Sequence, residues 1–126
     1  MKKLRKIKAI HNEIWKYFSE WTRRNEKGKC FTCDTQKDWR EMHAGHYIHG
    51  KLDYEPTNVH CQCAGCNTFR HGNLGIYSER MVIRYGIEYM QELRRRANTI
   101  WKPSRAELEQ LRLYWKVKVE ELGESQ

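Results

Sequence analysis

With 126 residues, 39% of them hydrophobic, and a mean hydropathy of -0.96, the chain is sized for one domain with a modest core, a class that usually needs disulfides or a metal as an added staple. No run of about 18 apolar residues offers a membrane span, and the basic start is not followed by the apolar segment of a signal peptide; a cytoplasmic location with no membrane partner is expected. The 24 Lys and Arg against 16 Asp and Glu leave +8, of which residues 1–29 carry +7, so the natural partner is a polyanion.

In chain order, Leu4, Ile7, Ile10, Ile14, Phe18 and Trp21 recur every three or four positions, which predicts an amphipathic helix from Leu4 to about Arg24. Residues 1–27 are thus read as a basic amino-terminal helix, with Lys2, Lys3, Arg5, Lys6 and Lys8 as candidate contacts to a DNA backbone. A solvated face that aids solubility is the bland alternative. Residues 28–77 form the chemical centre, holding all five cysteines and five of the six histidines. Within it Trp39 to Ile48 and Thr57 to Gln62 read as two short strands joined by a loop from Gly50 to Pro56. Residues 78–126 read as carboxy-terminal helices: Ser78 caps one bearing Met81, Val82 and Tyr85, Gly86 interrupts, and Ile87, Met90 and Leu93 continue toward Ala97. Ser104 and Glu107 then form a capping box for a last helix with Leu108, Leu111, Tyr114, Trp115, Val119 and Leu122, ending at Gly123. The three segments are expected to make one compact domain.

Cys30-Phe-Thr-Cys33 and Cys63-Ala-Gly-Cys66 are two C-x2-C knuckles whose thiolates suit a tetrahedral structural zinc site. Such a four-sulfur site leaves no open coordination position, so the metal should hold the fold and do no chemistry. Cys61 would make a looser C-x4-C span with Cys66 and is read as a packed free thiol.

Between the knuckles lie His43-Ala-Gly-His46-Tyr47 and Asn58, and directly after the second come Asn67, Arg70 and His71. Asn67 and His71 are four apart, which would place them on one helical face. The order His, Asn, His resembles the HNH family, and the elements Ala44 to Tyr47, Asn58 to Asn67 and His71 to Asn73 resemble most closely the phage NinG/Rap family, over roughly residues 28 to 97. The resemblance implies an α+β fold with a zinc-stabilised ββα-metal (HNH, treble-clef-like) core and flanking amphipathic helices. It also implies a phage-encoded, metal-dependent DNA endonuclease in a bacterial host cell, acting on branched recombination intermediates such as D-loops or Holliday junctions.

On that pattern His46 is the general base, since a neutral imidazole with a pKa near 6.5 can activate water at neutral pH. His71 and Asn67 would hold a divalent ion, Mg2+ or Mn2+. Many HNH proteins carry a ligand just before the base, where this chain has Gly45; His43, two residues earlier and on the same strand face, could replace it, as could a water. Asn58 would hold the catalytic loop and orient His46, and Arg70 joins the candidate DNA contacts. His49 and His60 have no matched role and would meet phosphate or solvent. The alternative function is a non-catalytic zinc-knuckle module binding nucleic acid through the basic helix; an adaptor using Trp115 and Leu111 is weaker. A homodimer is left open.

Overall fold

The computed structural model describes residues 4–50 and 52–123, so the expected DNA contacts Lys2 and Lys3 lie outside the described residues. The architecture is mixed α+β, with a two-stranded antiparallel sheet and, among the described residues, four α-helices.

Helix α1, Ile7–Asn25, forms where the apolar stripe is densest. Ile10, Ile14 and Phe18 are fully buried, whereas Leu4 is 72% exposed and precedes the helix, so the useful stripe starts later than the periodicity suggests. The chain then reverses at Gly28, where φ is +68° and a Cβ would sit 1.9 Å from the Lys37 carbonyl oxygen; only glycine fits there. A bridge between Lys29 and Gln36 closes the first knuckle turn. The strand expected from Trp39 starts four residues later, because the Asp38 carboxylate accepts from the Arg40 amide (2.9 Å) and locks Trp39–Glu41 into a 3-10 turn.

Strands β1, His43–His46, and β2, Val59–Gln62, pair antiparallel, with His43 opposite Gln62 and His46 opposite Val59. Side chains alternate across a strand, so His43, Gly45, His60 and Gln62 share one face and Ala44, His46, Val59 and Cys61 the other. The second face packs on α1: Val59 joins Ile10, Ile14 and Phe18 in a core completed by Leu108 and Trp115. The first face looks toward a separate core of Phe31, Leu52, Tyr77, Met81, Met90, Leu93 and Ala97.

After the second knuckle, Gly65–Phe69 makes one π-helical turn, followed by left-handed turns at His71 and Asn73. Helix α2, Leu74–Tyr85, begins four residues before the expected cap Ser78, which is inside it. The early start places Tyr77 in the core, where its hydroxyl donates to the Gly45 carbonyl at 2.7 Å. Gly86, at φ +87°, turns the chain into α3, Ile87–Ala97. Helix α4, Arg105–Glu121, has the expected capping box: Ser104 Oγ accepts from the Glu107 amide (3.1 Å) and Glu107 accepts from the Ser104 amide (3.0 Å). It packs along α1, with the Phe18 and Trp115 rings edge to face at 4.7 Å. No helix among the described residues is long and apolar enough to cross a membrane.

Candidate functional site

The two knuckles converge as their spacing predicts. The ligand sulfurs of Cys30, Cys33, Cys63 and Cys66 all lie within 4.8 Å of one another, and Cys33 Sγ is 3.7 Å from Cys63 Sγ. Zinc–sulfur bonds of about 2.3 Å in a tetrahedron put sulfurs about 3.8 Å apart, so this quartet fits structural zinc. Donors surround it: Arg70 Nη1 and Asn73 Nδ2 approach Cys66 Sγ at 3.6 and 3.7 Å. Cys61 stays outside the quartet, fully buried, with burial pushing its thiol up to about 12. That is the expected inert, packed thiol.

His46 ends β1 on the face turned to α1. Its ring stacks on Trp15 at 4.8 Å and 15°, and its Nε2 is buried 3.4 Å from Asp53 Oδ1 without an aligned hydrogen bond. Burial holds its pKa below the ordinary imidazole value; Asp53 pulls the other way and nearby His49, with ring centres 5.5 Å apart, adds to the lowering. Asn58, fully buried on the residue before β2, clamps the loop that leaves β1: its Oδ1 accepts from the Ile48 amide (2.9 Å), and its Nδ2 donates to the Ile48 and Leu52 carbonyls (2.9 and 3.1 Å). It does not bond the His46 ring. It positions His46 and Asp53 through the backbone that joins them.

On the opposite face Asn67 Nδ2 donates to His43 Nδ1 at 3.0 Å, and a Cβ on Gly45 would lie 1.9 Å from Gln62 Oε1 and 2.9 Å from Asn67 Oδ1. The absent side chain at Gly45 is what lets these groups approach. Gln62 is fully buried; its Nε2 donates to Thr32 Oγ1 (3.0 Å) and the Gly72 carbonyl (2.9 Å), which fixes its orientation and leaves Oε1 without a protein partner. His71 does not share a helical face with Asn67, because the π-helical turn ends at Phe69 and His71 stands exposed at φ +51°. Among the described residues, no second group of three or more His, Cys, Asp or Glu side chains gathers as the cysteines do.

His60 is neither at phosphate nor in solvent, contrary to expectation. It is buried, with Nδ1 2.6 Å from Glu26 Oε2, Nε2 3.0 Å from the Tyr85 hydroxyl and its ring stacked on Phe31 at 4.1 Å. Of the basic candidates, Lys6 and Lys8 are exposed, Arg5 pairs with Glu13 at 2.6 Å, and Arg70 is exposed beside Cys66. Sequence reasoning missed Trp15, Asp53 and Gln62. Only Gln62 carried a local signal, its place in β2 beside the second knuckle; the other two reach His46 through tertiary folding.

No curated protein and no solved structure matches the chain. The family model described as Bacteriophage Lambda NinG protein matches residues 1–125, nearly the whole length, and the chain belongs to the NinG family.

Proposed function

We propose that this protein is a metal-dependent DNA endonuclease of the HNH kind, with a ββα-metal core, that hydrolyses phosphodiesters in branched recombination intermediates such as D-loops or Holliday junctions. What carries the proposal is His46: an imidazole kept neutral by burial, stacked on Trp15, with one nitrogen held against a carboxylate. In the tautomer that carries its proton on Nε2, toward the Asp53 carboxylate 3.4 Å away, Nδ1 has a lone pair to take a proton from water. Asp53 then stabilises the imidazolium that forms, as a carboxylate behind a catalytic histidine does in other hydrolases. Asn58 keeps the two groups in place by holding residues 48 and 52.

The face around Gly45 has a donor set suited to a hard divalent ion with a partly aqueous shell, Mg2+ or Mn2+: the imidazole of His43, the amide oxygen of Asn67 and the unpartnered buried oxygen of Gln62. These residues would hold it, with His71 as a further ligand from the exposed turn after Asn67. When bound there, on the sheet face opposite His46, such an ion would draw charge from a phosphate and its departing 3′ oxygen. The exposed Lys6 and Lys8 supply positive charge for the backbone.

The test is single-turnover cleavage of linear, nicked, D-loop and four-way DNA, with and without Mg2+ or Mn2+. Wild-type protein should cut branched DNA only with the ion, and His46→Ala should lose ~10²- to 10⁴-fold in rate while keeping its zinc and DNA binding. A His46→Ala protein that cuts at the wild-type rate sinks the assignment. DNA binding with no cleavage under any condition would favour the zinc-knuckle binding module instead.

A further inference from the structure

A cavity of about 320 Å3 shares Asp53 with the proposed base; Leu52, Tyr54, Glu55, Arg96, Trp101 and Leu111 also line it. Two of its lining rings, Tyr54 and Trp101, meet His11 of α1. His11 stacks on Tyr54 (centroids 5.8 Å apart, 21°), and Trp101 stands edge-on to both, 6.4 Å from His11 and 6.2 Å from Tyr54. The Tyr54 hydroxyl is tied to α1: it donates to the His11 carbonyl (3.2 Å) and lies 2.7 Å from His11 Nδ1. Trp101, in the connection between α3 and α4, keeps 49% of its surface exposed.

A large aromatic left half open beside an anchored pair of rings offers a flat face on which a planar group can stack. The charged groups that line the cavity are Asp53 and the ion pair of Arg96 with Glu55, and exposed lysines are near it in the chain, Lys102 next to Trp101 and Lys8 one helical turn before His11. In a protein proposed to bind DNA, planar rings with an open face match a nucleobase, which stacks on them. Asp53 links this shelf to the proposed base, since one of the two carboxylates lining the cavity is the one 3.4 Å from His46.

We propose that the Trp101 shelf binds an unpaired nucleobase of a DNA strand, stacking it on Trp101 and seating it over Tyr54 and Leu52, so that a strand with an unstacked base is held next to His46. A paired base inside a duplex is not available to it. The shelf therefore gives the protein a preference for branch points and single strands, and it deepens the proposed function by resting on DNA as the partner.

The experiment measures equilibrium binding, without divalent ions, of a labelled oligothymidylate and of a fully paired duplex of the same length. Trp101→Ala should raise Kd for the single strand by roughly 5- to 100-fold and for the duplex by less than about twofold, and Trp101→Phe should restore most of the single-strand affinity. In the wild-type protein, 2-aminopurine in an unpaired strand should lose fluorescence on binding as it stacks. Equal effects of Trp101→Ala on the two DNAs, including none on either, overturn the proposal. If the alanine variant fails to fold, the wild-type signal decides, and an unquenched 2-aminopurine overturns it. Because cleavage is not measured, a protein that prefers unpaired bases yet cuts no DNA would sink the nuclease and leave the shelf standing.

Discussion

On one face of the β1–β2 hairpin His60 has both ring nitrogens within hydrogen-bond reach of buried partners, Glu26 and Tyr85, and is stacked tightly on Phe31. On the other face His46 also meets a carboxylate and an aromatic ring, but the carboxylate is looser at 3.4 Å and the stack wider at 4.8 Å. The two side chains belong to strands four residues long and differ in what surrounds them. An imidazole whose two nitrogens are both bonded has none free for a water or substrate, and freeing one breaks a buried hydrogen bond, which costs about 1–3 kcal/mol. An imidazole with a spare nitrogen has one to offer. The comparison teaches that a histidine's use is set by its unfilled valence and not by the nearness of a carboxylate.

The heaviest test bears on the frame that holds both faces. Cys30→Ser or Cys66→Ser should release zinc and unfold the centre of the molecule, since metal binding contributes ~10 kcal/mol or more to the folding of such sites. Native mass spectrometry should find one tightly held zinc in the wild-type chain, and a folded, zinc-free wild-type protein would break the account.

The two histidines should then separate. His60→Ala leaves Glu26 without its imidazole in a largely buried place and removes a stacked ring, so thermal or urea unfolding should record a loss of about 3 kcal/mol. Below its unfolding transition that variant should still cleave. His46→Ala should lose cleavage and less stability than His60→Ala, since it removes a wider ring stack and no aligned hydrogen bond; equal behaviour of the two variants would erase the distinction.

A pH profile sharpens it further. Burial lowers the folded-state pKa of His46, so the unfolded chain takes up its proton at a higher pH than the folded one. Its contribution to stability is therefore complete above the unfolded value of about 6.5 and is lost as pH falls through the lower folded value. The acid limb of kcat/KM should share that position, below 6.5, because cleavage needs the neutral ring. A limb above 6.5 in the free protein would contradict the burial of His46.

The smallest effect is expected at the basic helix. Neutralising Lys2, Lys3, Lys6 and Lys8 together should weaken binding on paired and branched DNA alike and flatten the salt dependence by up to ~0.9 in log–log slope per lost phosphate contact. An unchanged slope would make this charge a solubility feature.

Local chemistry in the chain was enough to predict the two cysteine knuckles, the α1 stripe and the Ser104–Glu107 capping box, because each depends on groups a few residues apart whose geometry the backbone sets directly. The hairpin was legible only in outline: turn chemistry at Asp38 shortened β1, and burial of Tyr77 drew α2 forward past Ser78. Tertiary structure alone decided the surroundings of the histidines. Glu26 is 34 residues from His60 and Trp15 is on a different element from His46, so no local pattern could report those contacts. It also decided that His71 leaves the helical face of Asn67, since the π-helical turn spends its residues at a different angle from an α-helix. Spacing along the chain encodes groups that one element holds together; the burial and partners that give a side chain its pKa are created only when distant elements pack.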